Sequence, residues 1–213
     1  MNASDYWQIT QAALATVTLS LASIGMGMPL GLAMALVSWG RVPLLTPLVR
    51  GYVSVIRSCP TVTLTLLVFF GSSQAGLNLD AMVAAIVALT LSTAAFNCEI
   101  WRSHLNEFPR DQYDAALAFG MRPAQRSLRI VLPQVVRHSI PALVSEMTLQ
   151  IKATPAVAVI GIVEITRAAL RVGSATYQPL PPFLYALALY SVVVFAFVQL
   201  QRMAERRIAR SPA

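Results

Sequence analysis

The apolar positions of this chain gather into long blocks, not into the alternating runs of half-buried strands or the one-sided stripes of surface helices. A helix needs about 20 apolar residues to cross the hydrocarbon core of a bilayer. Five blocks approach or exceed that length, at roughly 10–39, 48–71, 81–101, 140–165 and 182–200. In lipid each backbone N–H and C=O must find a partner within its own segment, so such blocks are read as helices. The pattern predicts an all-α membrane protein of five transmembrane helices, folded as one domain over 1–213.

The interruptions are informative. Residues 1–9 are polar and aromatic, with Tyr6 and Trp7 placed as interfacial anchors. The Gly25-Met-Gly-Met-Pro-Leu-Gly31 stretch predicts close packing and a kink at Pro29 within the first span. Arg57-Ser58-Cys59-Pro60 breaks the second block, and the third is rich in Ala, Ser and Thr, as a helix surrounded by others would be. The longest polar region, 102–137, separates the third and fourth blocks, and a loop rich in Pro and Arg precedes the fifth.

Composition agrees with the blocks. Charged residues make up 12% of the chain and hydrophobic ones 56%, where a soluble domain carries roughly 25% charged residues. The net charge of +7 would hint at nucleic acid in a soluble protein. Here no basic run with interleaved aromatics supports a nucleic-acid groove, and cytoplasmic loops of membrane proteins collect Arg and Lys. With five spans, segments 40–50, 102–137 and 201–213 share one side and hold Arg41, Arg50, Arg102, Arg110, Arg122, Arg126, Arg129, Arg137, Arg202, Arg206, Arg207 and Arg210. The opposite side holds Arg167 and Arg171. That asymmetry predicts an outer N-terminus and a cytoplasmic C-terminus. With neither a basic n-region nor a cleavage site ahead of it, the first block is read as a retained span and not as a signal peptide. Cys59 and Cys98 are expected to be free, buried thiols, and His104 and His138 form no metal spacing. Trp39, Trp101, Tyr185 and Tyr190 fit an interface belt or packing. No Walker motif and no paired-carboxylate or Ser-His-Asp pattern suggests catalysis in this chain.

The most specific pattern lies in the long polar region. Asp111 can cap a helix carrying Asp114, Ala115 and Ala116; Gly120 suits the left-handed residue that ends it; Pro123 suits the first turn of a second helix; Leu132-Pro133 leads into the next span. By itself this is a helix–turn–helix: an ordinary amphipathic connection, or a small-residue surface that another protein approaches. The Asp-Ala-Ala, Gly, Leu-Pro spacing resembles the EAA loop of ABC importer permeases, with Asp114 where that family usually has Glu. Phe108-Pro109-Arg110-Asp111-Gln112, Arg57-Ser58-Cys59-Pro60 and Lys152-Ala153-Thr154-Pro155, followed by Glu164-Ile165-Thr166-Arg167, are similar to segments of the histidine/glutamine/arginine-type permeases. The resemblance implies a type I (MetI-like) permease bundle with a cytoplasmic coupling helix, in which Asp114, Ala115, Ala116, Gly120, Leu132 and Pro133 couple to an ATP-binding subunit. It also implies the usual partners: a dimer of ATPase subunits binding ATP and Mg, a second permease subunit, identical or paralogous, an extracytoplasmic solute-binding protein, and lipid of a bacterial inner membrane. The cargo implied is a polar amino acid or a close derivative.

Ionisable groups inside spans are candidates for a substrate path. Arg57, Glu99, Glu146 and Lys152 qualify, with Asn97, Gln150 and Thr154 as hydrogen-bonding neighbours. Glu146, Gln150 and Thr154 recur at i, i+4 and i+8 and share a helix face, while Lys152 points about 120° away from Glu146 on a regular helix. Arg57–Glu99 and Lys152–Glu146 could equally be structural ion pairs, and Asn97 could join helices. Ala153 stands where relatives often have Asp, which argues against a strongly cationic substrate. The competing functions are a permease for methionine or another small solute, an ion-driven secondary transporter, and a membrane scaffold.

Overall fold

The computed structural model describes residues 2–210, with side chains through 203. Arg206, Arg207 and Arg210 of the basic tail therefore have no described side chains, and 211–213 lie outside the described residues. In order, the helices are α1 (Ala3–Trp39), α2 (Leu45–Ser58), α3 (Thr61–Gln74), α4 (Ala81–Asn106), α5 (Arg110–Ala118), α6 (Pro123–Arg126), α7 (Leu132–Ala153), α8 (Ile165–Thr176) and α9 (Leu180–Arg210). A π-helical turn, Ser127–Val131, joins α6 to α7, and a 3-10 turn, Thr154–Ile160, extends α7. Among the described residues, four helical segments are long and apolar enough to cross a membrane, and α2 with α3 supply a fifth span if the bent pair is counted as one.

The helix α4 sits at the centre. Its Ala-, Ser- and Thr-rich surface is buried along most of its length, and Asp80 caps it by accepting from the Met82 N–H at 2.9 Å. The most extensive contact in the molecule is α1 against α4. Small residues of α1 make it possible: Ala12, Thr16, Ser20, Ser23, Gly27, Gly31 and Ala35 recur every three or four positions and are all buried. A Cβ on Gly27 would lie 2.7 Å from the Thr93 Cβ, and one on Gly31 would lie 2.9 Å from both the Ala94 carbonyl oxygen and the Cys98 nitrogen. Helix backbones approach this closely in lipid only across such residues. Hydroxyls in the seam bond back to their own helices, Ser20 to the Thr16 carbonyl and Thr93 to the Leu89 carbonyl.

Several boundaries differ from the expectation. The first helix begins at Ala3, so Tyr6 and Trp7 are helical; Tyr6 packs edge-on against Tyr185 of α9 with ring centroids 4.9 Å apart. Pro29 does not interrupt α1, and it lies on the exposed side of that helix. The break at 57–60 is larger than a local defect: α2 and α3 meet at 113°. Pro60 disfavours helical geometry at the residue before it, and Cys59 is extended, with φ −91° and ψ 127°. Cys59 and Cys98 are free thiols, but only Cys98 is fully buried. The helix leading into the fourth span starts at Pro123, not near 140, and continues to Ile160. Pro133 lies inside it, not at its start; the π turn before it, with the Leu132 N–H bonded to the Ser127 carbonyl, provides the altered ladder a proline needs.

The segment read as a Pro- and Arg-rich loop contains α8, an amphipathic helix burying Ile165, Ala168, Ala169, Val172 and Gly173 against α1 and α9. Its N-cap is Glu164, fully buried. The carboxylate accepts from the backbone N–H groups of Thr166 at 2.8 Å and Arg167 at 2.7 Å, and from the Tyr190 hydroxyl at 2.7 Å.

Two outcomes check this packing by thermal unfolding in detergent. Gly31→Ala is expected to lose about 1–3 kcal/mol, because backbone atoms of α4 must yield, while Gly25→Ala, with nothing within 4 Å, serves as a neutral control. Glu164→Ala is expected to lose about 2 kcal/mol through the stranded donors.

Candidate functional site

Two regions carry the polar chemistry. The first is a groove of about 430 Å³ between α1, α2 and α4, lined by Ser38, Arg50, Ser54, Arg57, Glu99 and Arg102. Glu99 is shared. Arg102, one turn along the same helix, donates from Nε to Oε2 at 3.0 Å and from Nη2 to Oε1. Arg57 of α2 stands 3.9 Å from Oε2, and its guanidinium carbon is 5.4 Å from the Phe96 ring centroid. Their side chains are 30–42% exposed. Arg50 also lines the groove, so three arginines and the Glu99 carboxylate meet its walls and leave an excess of positive charge there.

None of the remaining substrate-path candidates lines this groove, although the Glu146 carboxyl is near enough to Arg57 to interact with its charge. Gln150 is buried and donates Nε2 to the Leu89 carbonyl of α4 at 3.3 Å. Thr154 is buried and bonds the Ile151 carbonyl of its own helix. Asn97 is fully buried beside Gly31, and neither of its side-chain polar atoms has a partner among the described residues. Glu146 is half-buried and Lys152 is exposed. Among the described residues no carboxylate lies within 4 Å of Lys152, so the Lys152–Glu146 ion pair does not form. Of Glu146, Gln150 and Thr154, Gln150 seats α7 against α4, and Thr154 bonds back to its own chain where α7 ends.

The second region is the loop at 107–122. Pro109 precedes α5 as its N-cap, so Asp111 is not the cap but lies in the first turn, where an acid favours the positive helix end. The C-terminus is a Schellman motif: the Gly120 N–H bonds the Leu117 carbonyl at 2.9 Å and the Met121 N–H bonds the Ala116 carbonyl at 3.2 Å. Gly120 has φ +71°, and Pro123 occupies the first turn of α6. Asp114, Ala115 and Gly120 are exposed, whereas Ala116 is buried against the chain; Leu132 is half-buried and Pro133 exposed.

Sequence reasoning missed the two most deeply buried charges. Glu164 lay at the very end of the block read as the fourth span and was passed over, and Arg126, 6% exposed, lay in the long polar region 102–137. An acid ahead of the amphipathic Ile165–Thr176 pattern was the available signal for Glu164; nothing local distinguishes Arg126 from the other arginines of its segment.

The family model described as "Binding-protein-dependent transport system inner membrane component" matches residues 27–210. The nopaline transport system permease protein NocM of Agrobacterium fabrum is 34% identical over 200 residues, covering 89% of this chain and 83% of that protein. The arginine transport system permease protein ArtQ of Bacillus subtilis is 35% identical over 158 residues, covering 74% of this chain and 72% of that protein. Among solved structures, an amino acid ABC transporter with histidines matches with a TM-score of 0.85 and 29% identity, over 94% of each chain. A bundle of apolar helices around α4, bearing a capped helix–turn–helix at one end and matched along most of its length, belongs to the inner-membrane components of binding-protein-dependent transport systems, and its part there is that of an ABC importer permease subunit, not an enzyme.

Proposed function

We propose that this permease carries a polar amino acid or a closely related derivative, handed over by an extracytoplasmic binding protein. Its path is shared with a second permease subunit, identical or paralogous, and ATP with Mg is bound by a dimer of partner ATPase subunits. The N-terminus is outside and the C-terminus cytoplasmic. The observation that carries the coupling half of this reading is the α5–α6 turn. Asp114 and Ala115 are presented outward on a short helix whose end is fixed by Gly120, at the foot of a helix that continues to Ile160.

The substrate class rests on different support. Relatives are named for nopaline and arginine transport, and both cargoes carry an α-amino-acid framework. In this chain the excess of arginine around Glu99 suits the carboxylate of such a molecule. Ala153, in place of the acid that relatives often carry, favours a cargo without a strong second cation.

The test is ATP hydrolysis by the complex isolated through this chain and reconstituted in lipid, with a candidate binding protein and a panel of amino acids. Stimulation by one amino-acid class is the expected result. Absence of any copurifying ATPase, with uptake following a proton or sodium gradient, would establish the secondary-transporter alternative instead. Within the working complex, Gly120→Asp places an L side chain at positive φ, which costs about 1–2 kcal/mol, and adds charge to the docking surface. The expected outcome is normal membrane insertion with transport per ATP reduced about tenfold; full transport would remove Gly120 from the coupling role.

A further inference from the structure

The helix α5 is joined to α6 by an exposed turn, 119–122, that contains the left-handed Gly120. Such a turn sets a direction but does not clamp two helices. Side chains do that. Arg126 of α6 is buried, and its guanidinium carbon lies 4.4 Å from the centroid of the Tyr113 ring of α5. Its Nε and Nη1 have no hydrogen-bond partner among the described residues. A desolvated cation left with unpaired donors is unfavourable, and the electron-rich face of an aromatic ring is the group here that meets its charge. Farther along, Gln134 of α7 donates Nε2 to Gln112 Oε1 of α5 at 2.8 Å. Ala116, buried, completes the contact surface of α5.

Arg126 and Gln134 are eight positions apart on one continuous helix, about 12 Å at 1.5 Å per residue. One attachment point would leave α5 free to pivot, whereas two separated points fix its orientation. We infer that the Tyr113–Arg126 and Gln112–Gln134 contacts clamp α5 to the foot of the helix that begins at Pro123, so that both move as one lever. A push on α5 then reaches the 3-10 turn at Thr154–Ile160, roughly 40 Å away along the helix, without being absorbed at the turn. Tyr113 and Arg126 are positioning residues in this mechanism. The inference rests on the coupling role proposed for the loop.

The experiment uses the complete transporter in proteoliposomes, reading ATP hydrolysed and substrate imported together. In a Cys59→Ser, Cys98→Ala background, Gln112→Cys with Gln134→Cys is cross-linked by a short bifunctional thiol reagent. If α5 and α7 move as one, import survives cross-linking within about twofold; loss of import on cross-linking, restored by reduction of the link, overturns the lever. The ring is tested separately. Tyr113→Phe is expected to keep import per ATP, while Tyr113→Leu lowers it about tenfold in complexes that still assemble and hydrolyse ATP. An unchanged ratio in Tyr113→Leu, or an equal loss in Tyr113→Phe, would overturn the clamp. Because each reading is taken against ATP-driven import by the parent complex, failure of the parent marks failure of the importer reading, while failure of a variant marks failure of the clamp alone.

Discussion

Close approach of α1 to α4 is the constraint on which the other helix positions depend. Between helices in lipid there is no hydrophobic gain, because lipid tails are as apolar as leucine. What remains is chiefly dispersion, which weakens substantially across a gap of about 1 Å, and hydrogen bonds between helices. Gly27 and Gly31 remove the Cβ atoms that would hold the backbones apart. Once α1 lies against α4, α2 can place the Tyr52 hydroxyl on the Leu91 carbonyl at 2.7 Å, and α7 can place Gln150 on the Leu89 carbonyl. The same seam brings Thr16 to the start of α8, where its hydroxyl accepts from the Ile165 N–H at 3.4 Å. The seam also holds Asn97 with no side-chain partner among the described residues, a cost that close packing can offset.

Most of this architecture was legible in the sequence because lipid imposes a coarse code. Block length identifies a span, and small residues every three or four positions identify a packed face. The interior of α4 could be read from its Ala, Ser and Thr content. What was not legible depended on local backbone chemistry that hydropathy averages away. The second block is apolar on both sides of Pro60, so the block pattern shows one span where the pre-proline restriction makes two helices. The fourth block has the opposite defect: its amphipathic lower half, from Pro123, is too polar to be counted as span although the helix is continuous through the π turn. The same averaging hid α8, whose apolar face is narrow and whose exposed side carries Arg171.

The candidate site divides in a similar way. The turn around Gly120 was readable because proline and left-handed glycine are positional signals: each suits few places in a helix–turn–helix. Residues of the substrate path were harder, since a polar side chain in a span has two outlets, a ligand or another helix. Gln150 and Thr154 found backbone carbonyls, and only three-dimensional packing could show it. Periodicity groups them on one face of a regular helix but cannot say what that face meets, nor that the α-helix gives way to a 3-10 turn at Thr154.

Burial also orders the charges in an unexpected way. A rule that seeks function at the most buried ionisable groups would choose Glu164 and Arg126. Yet every contact of the Glu164 carboxylate is to the cap of α8 and to Tyr190, and the Arg126 guanidinium is held under Tyr113. Their charges are committed to joining helices. Glu99 differs: it is partly exposed, tightly paired to Arg102 and loosely approached by Arg57 from another helix. A carboxylate with one firm and one loose cation can release the loose one to an incoming anion without being left unpaired. Exchange of that kind needs an excess of one charge, and the groove between α1, α2 and α4 is lined by Arg50, Arg57 and Arg102 with Glu99. In this bundle the deeply buried charges are taken up by contacts within and between helices, and the half-exposed ones are left less completely paired.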